Sequence, residues 1–442
     1  MQAYAGHIVD INNVDYIDMV SSWGSNILGY GNKRVAEAVS AQILKYSNTG
    51  MIGPEWRRLH EILVRLVPCA EAIHVLKNGS DATAAAIRLA RFVTAREKVL
   101  HRGYHGAQDW FMASIHCPGV PSTHYEQIIS ITTLDVEQVR QIFAAHPGQI
   151  ACLIIDPMLW PIPDRETMLS IRDIVHKEGA LLIYDEVVSG FRVAVGGAQQ
   201  VWDVLPDLAC YGKCIANGLP LSVMVGSEQW MRHEPSINYG LTFGLEAVSI
   251  VAAIETINEI VDRKVCSDLA KKGQILKKAY SDMCTARGIE SALVGHDCRP
   301  ELYFQEANEL SPEYCKNLII HELSQHQVFT YGIFNLCYAH THNDIEAVIS
   351  ALGHGLDKVQ MAVWQTTKLE KQTLIQLQGV ISNLRDQFSQ SQAKLSKSKE
   401  EVNQYNAELS RAREEVEAMK SSKFWKIRSL WFSIKQKFGL GV

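Results

Sequence analysis

Residues 181–222 read LLIYDEVVSGFRVAVGGAQQVWDVLPDLACYGKCIANGLPLS, and the rest of the chain is organised around them. Leu181 to Tyr184 form a short apolar run, the pattern of a parallel strand buried on both faces. Asp185 and Glu186 fall where that strand should end. A second short run, Leu208 to Tyr211, delivers Gly212 and Lys213, and Asn217-Gly218-Leu219-Pro220 then signals a turn. In open α/β sheets, ligands bind outside the carboxyl ends of the strands.

The stretch therefore places a carboxylate and a lysine at two such ends. Pyridoxal phosphate chemistry needs this pair: the amine joins the cofactor aldehyde, and the carboxylate keeps the pyridine nitrogen protonated so that the ring withdraws electrons. Taken singly, Lys213 reads as a surface lysine and Asp185 as a turn cap. Taken together in this context, they favour the chemical reading.

Asp185-Glu186-Val187, Gly190-Phe191-Arg192, Pro206-Asp207-Leu208 and Gly212-Lys213 resemble the class III, fold-type I pyridoxal phosphate aminotransferases. The nearest branch contains glutamate-1-semialdehyde aminomutase, and the resemblance covers about residues 7–360. It implies an α/β fold-type I architecture, with a mostly parallel large-domain sheet, a smaller α+β domain and an obligate homodimer. It also implies two small-molecule substrates, an amino donor and a carbonyl acceptor.

Further motifs follow in order. His7 to Val20 alternate apolar and polar residues about Asn12-Asn13, as a hairpin does. Trp23-Gly24 and Leu28-Gly29 resemble a segment at the active-site mouth; Trp23 as a core plug is the plainer alternative. Ahead of the hairpin, relatives carry an arginine that holds the aminomutase's substrate carboxylate. The sequence as given has no counterpart, so carboxylate recognition is not carried over. Ala72 to Leu76 read as a strand and Ala82 to Val93 as an alanine-rich helix. Gly79 and Ser80 between them suit a phosphate, because glycine lets the backbone approach and free N–H groups point outward. Simple N-capping by Ser80 or Asp81 uses the same groups.

Tyr104-His105-Gly106 matches a family segment in which the aromatic stacks on the pyridine ring, making Tyr104 the candidate and His105 a structural histidine. Asp156-Pro157 stands where relatives have Glu-Pro, and Asp156 is given a supporting role. Val187 is expected on the ring face opposite Tyr104, although an ordinary core valine would read the same. Arg192 is left outside the cofactor set, with a local carboxylate as its alternative partner. Tyr239 to Gly244 resembles a loop whose threonine binds the cofactor phosphate across the dimer interface, which nominates Thr242. Ala339-His340-Thr341 with Asp344-Ile345 matches the family's closing segment.

Composition bounds the rest. The 442 residues are 47 % hydrophobic and 21 % charged, an ordinary globular balance. The net charge of −5 gives no global reason to expect nucleic acid. Ten cysteines lack C-x-x-C or zinc-ligand spacing, so no metal is expected and a reduced, cytoplasmic setting is. No signal peptide and no membrane-spanning apolar run are visible.

From Leu374 the pattern changes. Leu374, Leu377, Ile381, Leu384, Phe388, Ser391, Leu395, Ser398, Val402, Tyr405, Leu409, Ala412, Val416 and Met419 keep 3–4 spacing, the signature of a coiled coil that self-associates or binds a partner helix. Residues 423–442 carry five basic side chains and no acid on an aromatic amphipathic pattern. That suits either peripheral contact with an anionic membrane or a protein partner.

The expected division is 1–48 and 256–363 for the small domain, 49–255 for the cofactor-binding domain, 364–420 for the coiled coil and 421–442 for the basic helix. The expected activity is amino transfer from a donor such as glutamate to a carbonyl acceptor, with Lys213 and Asp185 catalytic. The C-terminal extension suggests tethering to machinery that makes cell-surface glycans. The alternatives are the aminomutase reaction and an inactive scaffold.

Overall fold

The computed structural model describes residues 2–305, 310–368 and 371–421, together with 430 and 433. Its contacts divide the chain into two units, Met1–Val363 and Trp364–Val442.

In the first unit the strands are β1 (Gln2–Tyr4), β2 (His7–Val9), β3 (Asp15–Asp18), β4 (Ala72–Leu76), β5 (Lys98–Arg102), β6 (Ile128–Ser130), β7 (Ile150–Ile155), β8 (Leu181–Glu186), β9 (Leu208–Tyr211), β10 (Ser222–Gly226), β11 (Ser291–Val294), β12 (Glu301–Phe304) and β13 (Val328–Phe329). Seven of them form one sheet in the order β4-β10-β9-β8-β7-β5-β6. Strand β10 is antiparallel to both neighbours, and every other pair is parallel.

The apolar runs explain this sheet. Every residue of β7, β8 and β9 is buried, so helices cover both faces. Strand alternation then divides two cores: Leu182 and Tyr184 of β8 enter one, and Leu181 and Ile183 enter the other. The helix Gly79–Thr94 lies on the second core through Ala82, Ala85, Ala86, Leu89 and Ala90. Alanine there gives high helix propensity and lets the helix approach the sheet closely.

A four-stranded sheet, β1-β2-β3-β13, joins the start of the chain to its C-terminal part, with β13 parallel to β3. The expected hairpin about Asn12-Asn13 is its β2–β3 connection. Strands β11 and β12 pair as a separate hairpin.

Two boundaries differ from expectation. Strand β8 continues through Asp185 and Glu186, because β9 pairs with both. The alanine-rich helix begins at Gly79 rather than Ala82, so Gly79 and Ser80 form its first turn.

In the second unit a continuous helix spans Lys371–Ser421. Leu384, Phe388, Leu395, Val402, Tyr405, Leu409 and Val416, all on the heptad positions, are exposed along it. The expected basic amphipathic helix lies outside the described residues, apart from Ser421, Leu430 and Ser433. No described helix is long and apolar enough to cross a membrane.

Candidate active site

Strands β8 and β9 are adjacent and parallel, with Asp185 opposite Cys210 and Glu186 opposite Tyr211. Lys213 follows β9 by two residues, so Asp185 and Lys213 emerge at the same sheet edge. A cleft of about 630 Å³ opens there, lined by Asp185 and Lys213 and by Gly79, Ser80, Tyr104, His105, Val187, Asp156, Trp23 and Arg299 among others.

The two acids that end β8 part ways, as successive strand residues must. Asp185 faces the cleft. Its Oδ1 accepts from the Val187 N–H at 3.2 Å, and its Oδ2 lies 2.8 Å from His105 Nδ1. Glu186 turns into the protein and accepts from the N–H groups of Ala198 (2.9 Å) and Gln199 (3.1 Å) and from the Ser189 hydroxyl. Burial pushes its carboxyl up to about 7. Glu186 braces the loop after β8 and takes no part in the cleft.

Lys213 sits at φ +44°, in the left-handed region that a lysine seldom occupies. Such strain persists only where the surroundings enforce it, and it concentrates at functional sites. Burial lowers the Lys213 pKa, and Arg299 lowers it further, against the opposing pull of Asp185 and Asp156. Burial and then Asp185 raise the Asp156 pKa.

At the other end of the cleft, Asp81 accepts from the Asn78 N–H at 2.8 Å and caps the helix. The N–H groups of Gly79 and Ser80 keep no partner among the described residues and stand at the positive end of a four-turn helix. That is an anion site. Gly79 is required for space: a Cβ there would fall 2.8 Å from Val187 Cγ1.

Tyr104 is 64 % exposed, and its ring lies edge-on to Phe111 at 5.1 Å, leaving a face open to the cleft. Trp23 is 62 % exposed and stacks on Tyr331 at 5.3 Å. It therefore stands at the mouth, and the core-plug alternative is overturned. Ser21, Ser22 and Trp23 all have positive φ, a costly run that turns the indole outward. Among the described residues Arg192 pairs with no carboxylate; its guanidinium donates to the carbonyls of Gly24 and Leu336, both at 2.8 Å. It thereby ties the Trp23 loop to the C-terminal part of the unit.

The arrangement fits pyridoxal phosphate by its donor set. There is an N–H cradle for a phosphate, a tyrosine and a valine to hold a flat ring, a braced carboxylate and a half-buried lysine. The family model "Aminotransferase class-III" matches residues 2–291. The chain belongs to the class III aminotransferases. These enzymes use pyridoxal phosphate, and this chain is one of them.

Among curated relatives, the 3-aminobutyryl-CoA aminotransferase of Cloacimonas acidaminovorans (strain Evry) is 32 % identical over 372 residues, covering 80 % of this chain and 88 % of the relative. The glutamate-1-semialdehyde 2,1-aminomutase of Methanothermobacter thermautotrophicus is 29 % identical over 369 residues, covering 77 % and 88 %. Among solved structures, the FumI protein of Sphingopyxis sp. MTA144, in its PLP internal aldimine form, superposes with a TM-score of 0.77 at 28 % identity, covering 84 % of this chain and 89 % of that one.

Six of the seven nominated residues, Gly79, Ser80, Tyr104, Asp185, Val187 and Lys213, line the one cleft. Thr242 does not: it lies exposed in the turn 239–244, where its carbonyl accepts from Asn48 Nδ2 at 3.0 Å. Sequence reasoning did not nominate Arg299, and it treated His105 as structural without assigning it to Asp185. The Tyr-His-Gly run carried the His105 signal. No local pattern marks Arg299, which the β11–β12 hairpin delivers from far along the chain.

Proposed function

We propose that the chain is an aminotransferase that takes an amino group from a donor such as L-glutamate and delivers it to a carbonyl acceptor. The observation that carries this reading is the convergence of Lys213, Asp185 and the Gly79–Ser80 N–H groups on one cleft. When bound, pyridoxal phosphate supplies an electron sink for the carbon that gains or loses the amino group. The Gly79 and Ser80 N–H groups bind the phosphate, and Tyr104 and Val187 hold the two ring faces. Asp185 keeps the proton on the pyridine nitrogen, and His105 orients Asp185. Lys213 anchors the cofactor, and its Nζ then moves the proton at the reacting carbon. Asp156 balances charge beside Lys213.

We further propose that the active unit is a homodimer, with Thr242 completing the partner's phosphate site. Thr242 is exposed and outside its own cleft, and the exposed apolar side chains of Phe243, Met51 and Ile52 lie on the same connected segments. Residues 1–48 and 256–363 are read as one small domain around 49–255, and the shared four-stranded sheet supports this. The exposed apolar row on Lys371–Ser421 supports a coiled coil, for which a drop in sedimentation coefficient on Leu409→Asp is the test. Residues 421–442 are proposed as a peripheral tether in a cytoplasmic setting.

The deciding experiment is the absorbance spectrum of the cofactor-loaded protein before and after L-glutamate. Conversion to the aminated cofactor, followed by recovery with a keto-sugar, keto acid or aldehyde, is the expected result and names the acceptor class. The similarity to glutamate-1-semialdehyde aminomutases keeps one alternative. A spectrum that ignores amino donors but responds to the semialdehyde or its diamine favours it.

A further inference from the structure

The helix Lys371–Ser421 keeps a heptad frame whose two core columns are exposed from Leu384 to Val416. Phe388, Leu395, Val402, Leu409 and Val416 stand at heptad position a. Leu384, Ser391, Ser398, Tyr405 and Ala412 stand at position d. The row runs for about 48 Å along the helix. Val402 is 56 % exposed on it and Leu409 54 %. An apolar stripe of that length calls for a cover.

The flanking columns say what the cover is. Arg385, Lys399 and Arg413 stand at position e, and Glu401, Glu408 and Glu415 at position g. Among the described residues none of these six side chains makes an ion pair. A helix with basic charge on one flank of its seam and acidic charge on the other complements a copy of itself running the same way. The reason is that a parallel pair sets each g against the next e of the partner. Glu408 then meets the partner's Arg413, twice by symmetry, and Glu401 meets the partner's Asn406. Among the described side chains, Lys394 against the partner's Lys399 is the one like-charge contact. It falls where Ser391 and Ser398 occupy d, so residues 402–416 hold most of the seam.

Running the helices in opposite directions sets g against g and e against e. Full overlap then brings Glu401 to the partner's Glu401, Lys399 to the partner's Lys399 and Arg385 to the partner's Arg413. Among the described side chains, only Lys394 with the partner's Glu408 offsets this. The same overlap sets the Ser391 and Ser398 hydroxyls against Leu409 and Val402, where a parallel pair sets serine against serine. Resting on the coiled-coil reading, we propose that the apolar row is covered by the same helix of a second copy of this chain, parallel and in register. The pair is two-stranded: the hydroxyls of Ser391, Ser398 and Tyr405 reach water from a two-stranded seam, and a wider bundle would bury them. Both copies of the sequence 423–442 leave such a coil at the same end.

The test uses the full-length protein with single cysteines placed along the helix. Leu384→Cys and Val416→Cys chains are each oxidised with diamide and read on a non-reducing gel. Wild type and Glu414→Cys, on the outer face of the heptad, give the background. Each of the two variants is expected to link to itself well above that background. Co-expressed under different tags, the Leu384→Cys and Val416→Cys chains should not link to one another, because a parallel pair holds the two sites about 48 Å apart. In Val416→Cys, adding Glu408→Lys should slow linking about 2- to 10-fold. Adding Arg413→Glu to that same chain should restore it, because the pair is rebuilt with its signs exchanged. A link between Leu384→Cys and Val416→Cys chains as the main product overturns the parallel assignment and leaves the coiled coil standing. No link above background at either position overturns the second copy as the cover, and an unchanged sedimentation coefficient in Leu409→Asp would then remove the coiled-coil reading as well. Failure of Arg413→Glu to restore linking overturns the in-register charge match.

Discussion

His105 Nδ1 lies 2.8 Å from Asp185 Oδ2, with the imidazole fully buried and Asp185 opening only onto the cleft. Among the described residues the opposite ring nitrogen, Nε2, has no hydrogen-bond partner, and the ring is packed against Trp110, Phe111 and His101. The imidazole is therefore clamped, with Nδ1–H as the donor. It fixes which way the carboxylate points, while Oδ1 accepts from the Val187 N–H.

A residue that works through another is exposed by restoring its donor alone. His105→Leu should slow amino transfer about 10- to 100-fold, the usual cost of losing an outer-shell partner. His105→Asn, which keeps a donor near the same place, should regain part of the rate. Titration of the cofactor's visible band against pH separates positioning from packing. Its midpoint should move in His105→Leu and return toward wild type in His105→Asn. A midpoint unmoved in both variants would reduce His105 to packing.

The lysine carries the pH dependence. Burial, then Arg299, hold Lys213 below the ordinary lysine range, while Asp185 and Asp156 pull the other way. The neutral amine captures the cofactor, and its population grows as pH rises through the folded pKa. Capture of pyridoxal phosphate by cofactor-free enzyme should therefore speed up with pH and level off below the pH a free lysine requires. Arg299→Gln removes a lowering influence and should move the midpoint up. Asp156→Asn removes a raising one and should move it down. Stopped-flow absorbance measures both, and a shift of the wrong sign in either variant contradicts this charge arrangement.

The phosphate end makes a steric prediction. A methyl group on residue 79 would stand 2.8 Å and 2.9 Å from the two Val187 methyls, too close for ordinary contact. Gly79→Ala should weaken pyridoxal phosphate binding by about 1–3 kcal/mol, the usual cost of overpacking. Adding Val187→Ala should return part of that loss, because it removes the atoms the new methyl meets. Equilibrium dialysis of the cofactor with the single and double variants checks the coupling. Additive losses would show that Gly79 and Val187 act separately.

These relationships divide by how far along the chain their causes lie. The buried strands β7, β8 and β9 are legible in sequence because each is a short apolar run with a turn after it. Asp185 and Lys213 follow directly, since their place at strand ends is a local property. Gly79 and Ser80 are legible because a helix start is a local event. The β8 boundary was drawn short because Asp185 and Glu186 are polar, and their strand pairing is decided by β9. His105 needed the chain to close before its partner could be seen. Arg299 depends on the β11–β12 hairpin packing back over the cleft, which no window of neighbouring residues encodes. Trp23 was ambiguous because an indole serves equally as plug or as wall, and the run of positive φ at residues 21–23 is set by Asp18 and Arg192 acting from outside it.

Thr242 poses the one question that a single chain does not contain. Within one chain it is exposed and outside the cleft, and its neighbour Phe243 is 60 % exposed. If Thr242 serves the partner's phosphate site, each active site draws Lys213 from one chain and Thr242 from the other. Lys213→Ala should abolish turnover, and Thr242→Ala should weaken cofactor binding by about 1–2 kcal/mol for the lost hydrogen bond to a charged group. Co-expressing the two variants then gives an asymmetric result. In a mixed dimer, the Lys213 of the Thr242→Ala chain meets the intact Thr242 of the Lys213→Ala chain, and that one site is complete. At limiting cofactor, mixed dimers purified through two different tags should bind pyridoxal phosphate at that site with wild-type affinity and turn over at about half the wild-type rate per dimer. Mixed dimers no better at binding cofactor than Thr242→Ala alone would place Thr242 outside the partner's site and leave the phosphate to the Gly79–Ser80 cradle of a single chain.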